Sequence, residues 1–274
     1  MNKYHLRAET ALVAFLALGA ASLRAAEAAD LTYEQKEAFL RTAKLMSAKP
    51  AKKGVTNSIR ATLSDGKITH DAHVQTIDER KTLFQGAAGT TEMNFRDTYQ
   101  FNIAGWKLAH VLGIGDMVPV SVARSYKGTN GSFTWWIEDY MTDEEDRLGK
   151  KLQAPDQTAW AKEVNVMRVF DQLIYNTDSN ATNLIYDTQW RAWFIDHTRA
   201  FRTQTKLQDV KMLSQCDRAL LAKMKTLDQA TLEKELKPYV NKEEVKGLLA
   251  RRDLIVKFFE AKGESGLYDR PARH

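Results

Sequence analysis

The chain has 274 residues, 43% of them apolar, with 40 basic and 35 acidic side chains and a formal net charge of +5. That is enough apolar material for a sizeable core, which excludes a disordered chain and fits one large domain or two lobes. The positive charge is dispersed, with no basic stripe interleaved with aromatics, so no nucleic-acid partner is expected.

Residues 1–29 have the layout of a signal peptide. Lys3 and Arg7 open it, an apolar run follows from Ala11 to Leu23, and Ala26, Ala28 and Ala29 offer a small-residue cleavage site. The apolar run is short for a bilayer, so the expectation is an exported chain with no stable membrane span after cleavage. Cys216 is the only cysteine. An exported domain without an intrachain disulfide must stand on its core alone, which suits a periplasmic or secreted bacterial protein better than a eukaryotic secretory pathway. Cys216 itself reads as a small buried apolar residue.

Beyond the leader, residues 31–48 read as a helix and Lys49–Gly54 as a linker, so residues 30–53 form an N-terminal helix and linker. Residues 55–78 have β character, with Ser64-Asp65-Gly66-Lys67 as the turn between two strands. From Asp97 the period becomes helical: Tyr99, Asn102, Ile103, Trp106 and His110 share a face, and Gly113 or Gly115 ends the helix. Residues 118–123 and 132–137 then read as strands around a turn at Gly128–Gly131. Asp156 is suited to cap a helix whose stripe is Trp160, Val164, Met167, Phe170 and Ile174, and residues 206–260 read as several more helices. This order predicts an α+β architecture, with a small β-rich lobe over residues 54–141 and a mainly helical lobe over 142–274.

The chemistry concentrates between Asp178 and Asp196. A helix ends near Tyr175, and a loop crowded with Asn, Asp, Ser and Thr leads into the short apolar strand Leu184-Ile185-Tyr186. After a turn at Asp187–Arg191 the chain returns through Ala192 to Ile195, so Asn183 and Asp196 both lie at the open end of a hairpin. Across paired strands they would sit within roughly 5 to 6 Å of each other. Two such oxygens can hold Mg²⁺, which binds oxygen ligands at about 2.1 Å and keeps water and phosphate as its other ligands. Asp178 can point at the same volume as a base or orienting group for an attacking hydroxyl. Asx residues also crowd loops merely to cap backbone groups, and that reading stands beside the chemical one. The apolar run Trp193-Phe194-Ile195, which fixes Asp196 in a partly dry position, favours chemistry.

Asn176-x-Asp178-x4-Asn183 followed by Ile195-Asp196 resembles the catalytic loop and metal-binding aspartate of the atypical kinases related to phosphatidylinositol 3/4-kinases, HipA toxin kinases and the Golgi casein kinases of the secretory pathway. Residues 101–108, through Leu112-Gly113 and Val118-Pro119, are similar to the N-lobe helix and following strand of that superfamily, and the resemblance covers residues from about 54 to 205. It implies a two-lobed protein-kinase-like fold and an ATP-dependent phosphotransferase using Mg²⁺ or Mn²⁺. Asp178 would be the catalytic aspartate, Asn183 and Asp196 the metal ligands, and Trp136-Ile137-Glu138-Asp139 the hinge that meets adenine. The phosphate acceptor, whether protein, sugar or lipid, stays open.

Two departures bear on the nucleotide. Gln75 stands where these kinases carry the strand lysine that grips the phosphates, and Asn102 stands where the helix glutamate holds that lysine. Both halves of an ion pair are replaced by amides, which can bond each other but supply no positive charge. Ser179-Asn180 likewise replaces the Arg-His that commonly follows the catalytic aspartate. A pseudokinase that binds nucleotide or another ligand without turnover is the alternative this raises, and a purely structural or interaction domain is a third reading. Arg60, behind the loop at Gly54–Ser58, is a candidate substitute cation, with Lys67, Lys81 and Lys107 as others. Arg199 reads equally as a phosphate holder or as a partner of Asp171 or Asp187. His70 and His73 share one strand without further ligands, so no zinc site is expected.

Overall fold

A computed structural model describes residues 31–51, 58–86, 89, 91–271 and 273. Residues 1–29, expected to be a signal peptide, and most of the Gly54–Ser58 loop fall outside these residues. Helix α1 (Tyr33–Thr42) opens with a reciprocal cap: the Thr32 hydroxyl accepts from the Gln35 amide, and the Gln35 side chain accepts from the Thr32 N–H. It is shorter than expected. The chain passes directly into strand β1 (Lys44–Pro50), so the first residues of the expected linker are a sheet edge. Nearly every β1 side chain is exposed, and backbone pairing rather than burial makes it a strand, which hid it from any reading of apolar period.

Strands β2 (Ile59–Ser64) and β3 (Thr69–Gln75) flank the expected turn. There Asp65 Oδ1 accepts from the Lys67 and Ile68 amides and Gly66 takes φ +92°. β6 (Ser121–Tyr126) and β7 (Thr129–Trp135) meet at Lys127-Gly128, both at positive φ, as a tight hairpin turn requires. The antiparallel sheet runs β1-β2-β3-β7-β6. Its inner face, Leu63, Ala72, Val74, Val122 and Phe133, packs with α1 and with helix α2 (Gln100–Val111) in one core. Gly113, at φ +76°, follows the end of α2 as the sequence indicates.

Between β3 and α2 stands a hairpin that the sequence reading did not resolve, β4 (Asp78–Gln85) with β5 (Thr91–Thr98). β4 is almost wholly exposed, whereas Phe95, Arg96, Asp97 and Thr98 at the end of β5 are buried. Residues 136–139 then connect to β8 (Tyr140–Asp143), helix α3 (Glu144–Gly149) and helix α4 (Gln157–Ile174), which Asp156 caps through the Thr158 and Ala159 amides. β9 (Leu184–Asp187) and β10 (Ala192–Phe194) form the expected short hairpin, joined by β8 in the order β10-β9-β8.

A long irregular segment leads to β11 (Cys216–Asp217), then to helices α5 (Arg218–Thr226), α6 (Gln229–Leu236) and α7 (Lys242–Lys262), and to β12 (Leu267–Tyr268), parallel to β11. Asp217, Asp228 and Asn241 cap the three helices in turn. Cys216 is fully buried, as expected, and burial pushes its thiol up to about 12. Arg251 of α7 is buried as well, donating to the carbonyls of Leu173, Arg202 and Gln204. Near the C-terminus Arg270 forms a fork on Asp116, and Arg273 reaches Glu163. The chain is thus a mixed α/β fold, β-rich in its N-terminal part and helical in its C-terminal part. Among the described residues no helix is long and apolar enough to cross a membrane.

Candidate functional site

Helix α4 ends at Tyr175, whose left-handed backbone (φ 51°) turns the chain into the polar loop. The loop is tied back to the helix through Asp171, which accepts from Asn176 Nδ2 at 3.2 Å and from the Ser179 hydroxyl. Asp171 is buried, and that burial lifts its carboxyl to about 6 while the two donors work the other way. Within the loop the Asp178 amide donates to Asn176 Oδ1 at 3.2 Å, and Asn183 Nδ2 donates to the Asp178 carbonyl at 3.0 Å. Asn183 therefore holds Asp178 in place with its nitrogen, and no hydrogen bond occupies its Oδ1 among the described residues.

The hairpin pairs Leu184 with Phe194, and the Ile195 amide donates to the Asn183 carbonyl at 3.0 Å. Ile195 is thus the residue opposite Asn183, and Asp196 lies one position further, where a positive φ of 57° swings the chain away from the strand. One carboxylate oxygen, Asp196 Oδ2, accepts from Gln75 Nε2 at 3.0 Å. The other, Oδ1, is buried with no hydrogen-bond partner.

Gln75 and Asn102 do meet, as the paired replacement suggested. Asn102 Nδ2 donates to Gln75 Oε1 at 2.5 Å and to Ser132 Oγ at 3.3 Å, and Asn102 Oδ1 accepts from the His197 amide at 2.7 Å. A neutral relay therefore runs from α2 through β3 to Asp196 and His197. His197 packs so closely on α2 that a Cβ at Gly105 would lie 3.2 Å from its ring, which is why the middle of the helix carries a glycine. Burial lowers the His197 imidazole to about 4, against the pull of Asp196.

Trp136 and Glu138 lie at the connector, tied to β3 rather than to the polar loop. The Trp136 amide donates to the Asp71 carbonyl and its carbonyl meets His70 Nε2 at 3.0 Å. Glu138 lies 3.5 Å from His70 Nδ1, and burial together with Asp71 raises its carboxyl. Arg60 is held by Asp71 at 2.5 Å and covers the Trp136 ring at 4.2 Å. Neither expected partner of Arg199 is its partner: it pairs with Glu92 of β5 at 3.4 Å, because Asp187 is taken by Arg191 and Asp171 by the loop.

Two residues near the site were not placed there by the sequence reading, which weighed His73 only as a zinc ligand and passed over Asp97. His73, two positions before Gln75 on β3, feels the charge of Asp196 while burial lowers its imidazole. Asp97, at the end of β5, feels both Asp196 and Asp178. Single polar residues in strands carry no motif; only the period-2 alternation that puts His73 on the face of Gln75 was there to be read.

A divalent cation was implied by the resemblance, and the donors fit it: a buried carboxylate oxygen without a partner on Asp196 and an amide oxygen on Asn183 are hard oxygen ligands of the kind Mg²⁺ and Mn²⁺ take. Among the described residues no group of three His, Cys, Asp or Glu side chains is spaced to hold a metal by itself, so water or substrate oxygens would complete the shell.

No protein-family model matches the chain, and no curated protein matches it by sequence. Solved structures do. Fam20 from hydra, solved with a sugar, superimposes with a TM-score of 0.62 at 15% identity, over 88% of this chain and 93% of that one. The proinflammatory kinase CtkA of Helicobacter pylori aligns at a TM-score of 0.49 and 11% identity, over 79% and 92% of the two chains. With its β-rich N-terminal part and its helical C-terminal part, the chain shares the fold of Fam20.

Proposed function

We propose that the chain is an exported kinase-like phosphotransferase that uses ATP and Mg²⁺ or Mn²⁺. The observation that carries this reading is the convergence of Asp178, Asn183 and Asp196 at the open end of the β9–β10 hairpin, with one buried Asp196 oxygen left free. Asn183 and Asp196 would hold the metal, which when bound neutralises phosphate charge and fixes the transferring group. Asp178 would orient the acceptor hydroxyl and take its proton, held for that task by Asn176 and Asn183. The residues 136–139 would serve as the hinge beside the base, with Trp136 and Glu138 lining it.

One observation favours a second reading, a pseudokinase that binds nucleotide without turnover. The Gln75–Asn102 relay carries no charge and spends a Gln75 N–H on Asp196, where other kinases aim an ammonium at phosphate. A thermal-shift titration with ATP, with and without Mg²⁺ or Mn²⁺, combined with γ-phosphate transfer to protein, sugar and lipid acceptors, separates the two. Transferase activity predicts a metal-dependent rise in melting temperature and transfer that Asp178→Ala abolishes without lowering stability. Binding that survives Asp178→Ala with no transfer to any acceptor supports the pseudokinase. No metal-dependent nucleotide binding at all would refute both.

A further inference from the structure

A cleft of about 350 Å³ lies where the edge of the N-terminal sheet meets the helical part, and no residue of the polar loop or the β9–β10 hairpin lines it. The edge strand β6 gives it Arg124 and Ser125, β7 gives Asn130, the start of α2 gives Tyr99, and the corner between α6 and α7 gives Pro238 and Tyr239. Its volume falls at the small end of the range in which proteins enclose small molecules, about 300 to 1,000 Å³. Gly131 forms part of the wall, and a Cβ there would lie 2.6 Å from the Gln75 carbonyl, so the cleft backs directly onto the strand end that carries Gln75.

Arg124 is the only charged side chain lining the cleft among the described residues. Neither Asp78, whose charge reaches Tyr99, nor Glu37, which is paired with Arg41, lines it. Arg124 Nη1 donates to the Leu40 carbonyl near the end of α1 at 2.8 Å, and the guanidinium covers the Phe133 ring at 4.9 Å. Neither contact supplies a full counter-charge. Burial disfavours the charged form, and no described carboxylate pairs with it. A guanidinium has five N–H donors in a planar fork, and the Leu40 carbonyl takes one of them. The rest suit a carboxylate or a phosphoryl group. Ser125, Tyr99, Tyr239 and Asn130 add neutral hydroxyl and amide donors, and the two phenol rings with Pro238 add apolar faces.

We propose that this cleft binds a small organic anion, a carboxylate or phosphoryl group carried on a ring or a short apolar body, with Arg124 holding the charge and Tyr99, Tyr239 and Pro238 meeting the body. The site is separate from the kinase site and does not rest on that reading. Its occupant ties β6 to the α6–α7 corner, beside the segments that carry Gln75 and Asn102.

The test is calorimetric titration of the metal-free chain in Tris chloride with benzoate, phenyl phosphate, inorganic phosphate and the neutral benzamide. Benzoate or phenyl phosphate should bind and raise the melting temperature, and benzamide should bind about tenfold or more weakly, the ratio expected when a charge-assisted hydrogen bond is lost. The tighter of the two anions tells a carboxylate site from a phosphoryl one, and weaker binding of inorganic phosphate shows that the ring contributes. Arg124→Gln, whose amide can still donate to the Leu40 carbonyl, should weaken the anions about tenfold or more with little change in the ligand-free melting temperature. Should that variant fail to fold, Ala123→Trp fills the cleft from an exposed position on β6, leaves Arg124 on α1, and should abolish binding. Benzamide binding as tightly as benzoate overturns the choice of an anion. Absence of binding by every probe at millimolar concentration overturns the site. So does binding that persists in both variants; its loss in Asp196→Asn would then put the probe at the hairpin.

Discussion

Asn102 makes three hydrogen bonds at once, to Gln75, Ser132 and the backbone of His197, and so joins α2, β3, β7 and the segment after Asp196 through one amide. Such a node tolerates a neutral partner but not a lone charge. Gln75→Lys alone removes the oxygen that accepts from Asn102, although its ammonium would face Asp196, and Asn102→Glu alone buries a carboxylate with no cation; each should destabilise the fold, the glutamate more. The double variant Gln75→Lys/Asn102→Glu restores the ion pair and should recover part of both losses, with a coupling of about 1 to 3 kcal/mol in a double-mutant cycle read by urea denaturation. Additive losses would show that the two positions act separately. That Gln75 and Asn102 form a pair was legible only through the resemblance, which implies a lysine and a glutamate at those two positions. The place of Asp97 was not legible, because it comes from a hairpin brought against the segment after Asp196 and not from its neighbours in the chain.

At the scale of elements, the polar loop is an extension of α4, fastened by Asp171 to Asn176 and Ser179. The Asp171 carboxyl titrates at about 6 in the fold against an ordinary 3.8, so between those values the folded chain holds the proton more tightly than the unfolded one. The stability Asp171 contributes is complete below its unfolded value and is lost as pH rises through its folded one. Asp171→Asn has no proton to lose, so relative to wild type it should gain on the order of 2 kcal/mol between about pH 4 and pH 7. Urea denaturation at the two pH values reads this directly; a wild-type to variant difference that stays constant over the range would count against it. The β9–β10 hairpin, α2 and the capped α4 were readable because apolar period and caps mark them. β1 and β4 were not, because strands exposed on nearly every side show no period, and β5 buries four consecutive residues, 95–98, without alternation.

Across the whole molecule, polar contacts cross from the N-terminal sheet and hairpin to the helical part at several points. Gln75 bonds Asp196, the Thr98 amide bonds the Thr198 carbonyl, Arg96 pairs with Glu244, and Arg202 reaches the Arg96 carbonyl at 2.5 Å. Arg251 anchors the far side of the same segment by serving the carbonyls of Leu173, Arg202 and Gln204, and burial lowers its guanidinium to about 10. Arg251→Met keeps much of the volume but strands those carbonyls, and should cost about 3 to 5 kcal/mol. Amide exchange between residues 196 and 205 should quicken well beyond the rest of the chain. A loss under about 1 kcal/mol would mean that water replaces the guanidinium without penalty.

Cys216 lends the molecule one practical property. The single thiol of the chain is sealed in the core and held at about 12, so at neutral pH it is neither reachable nor nucleophilic. To maleimides and methanethiosulfonates the folded protein is in effect a blank. A pair of cysteines introduced at exposed Met93 on the hairpin and exposed Leu254 on α7 would then take up dyes or spin labels with no native background. Distances between such labels would report how far the two ends of the fold move when nucleotide and metal are added.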